Sequence, residues 1–107
     1  MGIFGKKKVE EQLNPVIASD QIVFLELEDS SDEKLLSIAD QMKQHVPYII
    51  NFESLDIDDI NKAIAFLSGI TYALDGEVII IKEKILMFGD QSSFEDGSLK
   101  TFLKELN

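Results

Sequence analysis

The sequence predicts an α/β fold: a two-layer α/β sandwich, a mixed sheet of about four strands backed by two helices, in a dimeric molecule. Three observations carry this expectation. Short β-branched and aromatic runs alternate with segments of helical period, the pattern of crossover-linked strands. Two such runs near the C-terminal end, Glu77 to Lys82 and Lys84 to Phe88, are joined so closely at Glu83 that a hairpin follows. Between them and the earlier strands lies a helix apolar on nearly every side, which a small single layer cannot cover alone.

Each element has a local reason. Gln21 to Glu28 (QIVFLELE) is a strand by composition. Ser30 is the expected N-cap of the first helix, with Glu33 as its capping-box partner and Leu35, Ile38, Ala39 and Met42 as its buried stripe. Val46 to Phe52 is nearly continuously apolar, the mark of a strand covered on both faces, with Pro47 tolerable near its start. Asp56 caps the next helix, and Asp58 and Asp59 favour the positive end of its dipole. Ile57, Ile60, Ile64, Leu67 and Leu74 form one stripe of that helix; Ala63, Phe66, Ile70 and Ala73 form a second. Asp75-Gly76 supplies a left-handed stop. After the hairpin and a polar loop, Ser98 to Leu106 is a short amphipathic helix carrying Leu99, Phe102, Leu103 and Leu106. The first β-α-β unit needs a parallel, right-handed crossover; the hairpin adds the antiparallel part.

Composition narrows function. At 107 residues, the chain is one globular domain, residues 21–107, behind a tip and linker, residues 1–20. With no cysteine, disulfides, thiolate catalysis and cysteine-ligated metals are excluded. Lys6, Lys7 and Lys8 are the only charged side chains in the first nine residues, whereas residues 10–107 set 7 lysines against 20 acids. That acidic body, without a single arginine, excludes nucleic acid as a partner. No apolar run reaches the length of a membrane span. The apolar tip Ile3-Phe4 with its three lysines reads either as a solubilised terminus or as a weak membrane foot.

No catalytic constellation is expected. His45 is the single histidine and has no metal-ligating companions. Asp56, Asp58 and Asp59 resemble a calcium loop but lack its central glycine and closing acid. Glu26, Glu28, Asp29, Asp32 and Glu33 form an acidic edge, and the scattered glycines make no phosphate cradle. No cofactor and no metal are implied.

The distinctive feature is the second half of the long helix. Gly69 stands in mid-helix, where it costs roughly 1 kcal/mol relative to alanine. Close approach of another backbone would offset that cost. Phe66, Gly69, Ile70 and Ala73 are therefore the candidate self-association face. The competing explanation is that the second stripe packs on the chain's own C-terminal helix. A small ligand-binding regulatory α/β domain is the rival function; it would use Thr71, Tyr72 and Asn51.

The run from Ile64 to Gly76 (IAFLSGITYALDG) resembles a segment of the SepF family of prokaryotic cell-division proteins, where it usually reads I-V-D-F-L-S-G-T-V-Y-A-L-G-G. The similarity spans roughly residues 21–90, through Ile22 to Leu25, Tyr48 to Phe52 and Ile85 to Phe88. A tip beginning Met-Gly-Ile-Phe is also like that family, whereas Asp75 stands in place of the usual first glycine. The resemblance implies a non-enzymatic adaptor at the inner membrane face of the division site, in the cytoplasm. It would bind the C-terminal tail of the tubulin-like division protein FtsZ and form homodimers that can polymerise. By that analogy Gly69 sits at a self-association interface, and Ile60, Ile85 and Leu86 belong to the partner-binding region. Ile3, Phe4, Lys6, Lys7 and Lys8 would be the membrane foot.

Overall fold

A computed structural model describes residues 21–106. Strands β1 (Val23–Glu26), β2 (Tyr48–Asn51), β3 (Glu77–Lys82) and β4 (Ile85–Gly89) form one sheet in the order β1-β2-β4-β3. Helices α1 (Asp32–Lys43), α2 (Ile57–Ala73) and α3 (Ser98–Leu106) join or follow them, with a 3-10 turn at Gln91–Phe94. β1 and β2 are parallel, and β4 is antiparallel to both β2 and β3. The expected mixed four-stranded α/β sheet is present. The hairpin's second strand lies between β2 and β3, so α2 carries the chain across a position that β4 fills afterwards.

The helix starts follow capping chemistry. Ser31, not Ser30, caps α1: its hydroxyl accepts from the Lys34 amide at 3.3 Å. The Asp29 carboxylate fixes this cap by accepting from the Ser31 amide at 2.8 Å. Ser30 instead donates to Asp59 at 2.9 Å, tying the start of α1 to the start of α2. Asp56 caps α2 as expected, accepting from the Asp59 amide at 2.9 Å.

At the other end of α2 the left-handed residue is Asp75, at φ 56°, while the Gly76 amide donates to the Thr71 carbonyl at 2.9 Å. Gly76 is needed for space. A Cβ there would stand 1.9 Å from the Gly89 carbonyl oxygen, so β3 can leave the helix beside the end of β4 only through a glycine. The hairpin turn places Lys84 at φ 67°, and the Phe52 amide donates to its carbonyl at 2.8 Å.

The main core lies between the sheet and α1 and α2. Leu27, Leu35, Ile38, Met42, Ile50, Phe52, Leu67 and Phe88 are fully or almost fully buried there. Phe52 and Phe88 meet edge to face at 6.2 Å, a geometry worth about 1 kcal/mol beyond area burial. The opposite face of the sheet is covered too. Ile49, Met87 and Leu99 are buried together there, with Ile22, Ile79, Ile81, Phe94, Phe102 and Leu103 packed against them. The two helices back the sheet as expected, and α3 adds a third layer. This is why β2 and β4 are buried on both sides.

The long helix departs from its expected stripes. Its buried line is Ile60, Ala63, Leu67 and Thr71, so Ala63 belongs to the core stripe, not the second one. Ile57, in the first turn, is 63% exposed. Ile64, Phe66, Ile70 and Leu74 are half-buried at the margins of the core.

Candidate functional site

Residues four apart on a helix fall on one line. Ala65, Gly69 and Ala73 have that spacing on α2, and all three are exposed. Among the described residues, and apart from the helix's own adjacent backbone, nothing lies within 4 Å of a Cβ built at Gly69, so no packing contact there requires glycine. Phe66 and Ile70 flank this line, half-buried, and Tyr72 is 85% exposed. The four expected self-association residues therefore occupy one uncovered region. The C-terminal helix does not cover it, because α3 packs on the other side of the sheet. Nearer the start of the helix Ile57 is exposed as well, but among the polar Asp58, Asn61 and Lys62, which are also exposed.

Beside this line, α1 and α2 leave an apolar groove of about 380 Å³ lined by Asp32, Leu35, Leu36, Lys62 and Phe66. Leu36 is 53% exposed at its rim. Lys62 and Asp32 form an ion pair at 3.2 Å across it. Both groups are solvated, so the pair orients rather than stabilises. Sequence reasoning missed Leu36, Lys62 and Ala65. The repeat of small residues at 65, 69 and 73 was the available signal for Ala65; the groove depends on how two helices meet.

The expected partner-binding residues do not form one surface. Ile60 and Leu86 are 5% and 6% exposed and belong to the main core. Ile85 is half-buried on the α3 side, in a hollow of about 290 Å³ with Phe24, Leu25, Glu26, Ile49 and Asn51. The expected membrane residues Ile3, Phe4, Lys6, Lys7 and Lys8 lie outside the described residues. Thr71, Tyr72 and Asn51 do not converge. Thr71 is buried and donates to the Leu67 carbonyl at 2.7 Å, Tyr72 faces solvent, and Asn51 bonds Glu53.

His45 has a partner that the sequence does not reveal. Its Nδ1 lies 2.5 Å from Asp90 Oδ2 and 3.0 Å from Ser92 Oγ. A nucleophile relay needs base and orienting acid on opposite ring nitrogens; here acid and hydroxyl share one. Burial would raise the Asp90 carboxyl, but hydrogen bonds from Ser93, His45 and Ser92 outweigh it and hold the group below the ordinary carboxylate range. The cluster is a latch between the end of β4, the 3-10 turn and the α1–β2 connection. The acidic edge is likewise engaged: Glu26 accepts from Ser54, Asp29 from Ser31, and Asp32 pairs with Lys62. Among the described residues there is no group of three or more histidine, aspartate or glutamate side chains placed to hold a metal, and no helix long and apolar enough to cross a membrane.

Comparison with known proteins follows this geometry. The family model described as cell division protein SepF matches residues 22–89, from the start of β1 to the end of β4. Cell division protein SepF of Thermoanaerobacter sp. (strain X514) is 27% identical over 124 residues, covering 99% of this chain and 90% of that protein. The protein of the same description from Carboxydothermus hydrogenoformans is 31% identical, covering 90% of this chain and 72% of its own length. That from Alkaliphilus metalliredigens is 33% identical, covering 95% and 68%. The matched segment contains the whole sheet, both core-backing helices and the uncovered glycine line. The chain belongs to the SepF family of cell division proteins.

Proposed function

We propose that this chain is a non-enzymatic adaptor of cell division that joins copies of itself, binds the C-terminal tail of FtsZ and helps tether the division ring to the cytoplasmic membrane face. The observation that carries this reading is the line Ala65, Gly69 and Ala73, exposed and flanked by Phe66 and Ile70, on a helix with no internal use for its glycine. Small residues on one line let a second helix approach closely, and the flanking apolar side chains then leave water.

The seat for an aliphatic tail is the groove of Leu35, Leu36 and Phe66, with Lys62 and Asp32 free to exchange their mutual ion pair for charges on the peptide. Ile60 and Leu86 would support that seat from the main core beneath the helices, whereas Ile85 lies on the α3 face of the sheet, away from it. Ile3 and Phe4, with Lys6, Lys7 and Lys8, would supply a weak foot at about 1 kcal/mol per lysine, effective through many copies on one assembly.

Two measurements test this. Gly69→Lys should leave the monomer folded, since the position is open, and abolish self-association by light scattering; unchanged size would remove the interface. Immobilised FtsZ tail peptide should retain the protein and lose it when its last residues are deleted. Retention unaffected by that deletion, or by Leu36→Asp, would overturn the tail assignment.

A further inference from the structure

The hollow on the α3 side of the sheet suits something the described residues do not include. Its floor is Ile49 and Ile85, its wall is the ring of Phe24, and its open end is marked by Glu26 and Asn51. Phe24 is 65% exposed although it lies on a sheet face, and among the described residues its ring meets Phe102 of α3, edge to face at 6.2 Å. α3 therefore covers only part of this face and stops beside a large exposed ring.

The rim has a polarity. Glu26 accepts from Ser54, Glu53 accepts from Asn51 of the lining, and Glu28 and Asp29, both exposed, follow beyond the end of β1. Across the hollow, Lys82 stands opposite Ile85 at the hairpin end. A ligand with two large apolar groups followed by positive charge would lay the former on Phe24, Ile49 and Ile85. It would place the latter over the β1 edge, away from Lys82.

Outside the described residues, the stretch before β1 contains one such segment. In residues 1–20 only the tip joins two large apolar side chains, Ile3 and Phe4, to a run of lysines, Lys6 to Lys8. Between Phe4 and Gln21 the backbone can extend to about 55 Å at the usual rise per residue. β1 is four residues, about 13 Å, so the tip reaches the hollow with ample slack. A short tether also gives a millimolar effective concentration, enough for a contact too weak to form between molecules.

We infer that the tip, Met1 to Lys8, docks in its own molecule's sheet-face hollow, with Ile3 and Phe4 against Phe24, Ile49 and Ile85 and the lysines over Glu26, Glu28 and Glu53. The docking stands on this geometry alone. Its consequence, that an anionic lipid surface and the hollow compete for one tip, rests on the foot reading above.

The full-length chain serves for the test. Its amide and methyl NMR spectra are compared with those of the Ile3→Asp/Phe4→Asp double variant. Docking predicts shift differences at Phe24, Ile49, Asn51 and Ile85 that shrink in 0.5 M NaCl and do not depend on protein concentration. Differences confined to residues 1–20 overturn it. So do differences centred on Leu36 and Phe66, or differences that grow with protein concentration, since these place the tip in the other groove or on a second copy. A second arm reads the consequence: Phe24→Ala should raise the fraction bound to vesicles of 70% phosphatidylcholine and 30% phosphatidylglycerol about threefold. An unchanged bound fraction overturns competition with lipid. If neither protein binds vesicles, the foot reading fails while the spectra still decide docking.

Discussion

Two glycines of one helix and its cap face opposite demands. At Gly76 a methyl group would collide with the Gly89 carbonyl oxygen, so Gly76→Ala should cost about 3 kcal/mol, read as a lower urea midpoint. At Gly69 a methyl group meets nothing, so Gly69→Ala should raise the stability of dilute monomer by up to about 1 kcal/mol while weakening self-association. Stabilisation and dissociation together, by thermal melting and sedimentation, would separate an interface glycine from an incidental one. Asp90 makes a third residue-scale prediction. Its carboxyl is held below the ordinary range, so its contribution is complete above the unfolded value and is lost as pH falls through the folded one. Asp90→Ala should cost roughly 1–2 kcal/mol at pH 7, a difference from wild type that closes below about pH 4.

Elements were legible where a local rule decides them. The order of strands and helices followed from hydrophobic period, and the Asp56 cap from its place ahead of an apolar repeat. Capping chemistry is ambiguous where two serines are adjacent: Ser31 takes the cap because Asp29 can brace it, and Ser30 is drawn to Asp59. Ser31→Ala should therefore destabilise α1 by about 1 kcal/mol and Ser30→Ala by less, by urea denaturation. The placement of α3 was less legible. The unbroken apolar run in β2 required cover on both faces, yet two backing helices supply only one. Only the sheet's assembled second face, with Ile49, Ile79 and Met87 side by side, shows where Phe102 and Leu103 must go. The groove of Leu36 and Lys62, and the pairing of His45 with Asp90, join residues 26 and 45 apart in sequence, beyond any local pattern.

At the scale of the molecule, charge and shape act against each other. The chain carries a net charge of −10, so two copies repel as their α2 faces approach. Raising NaCl from 0.05 to 0.5 M should tighten self-association through screening, measurable as a fall in the sedimentation dissociation constant. An interface held mainly by ion pairs would loosen instead. The sheet's outer margin bears on the same question. β3 presents Val78, Ile79, Ile80 and Ile81 in succession on an edge, and Ile80 is 72% exposed. Such a segment invites fibrillar stacking. The register slips between Ile80 and Lys82, leaving Ile81 as an extra residue against β4, and Glu77 and Lys82 close the ends of the strand. A bulge of this kind twists the margin and interrupts the straight ladder that amyloid growth copies. Copies at high concentration are thereby kept from main-chain zippering, and any contact between them falls to side chains, a mode of contact that can be undone.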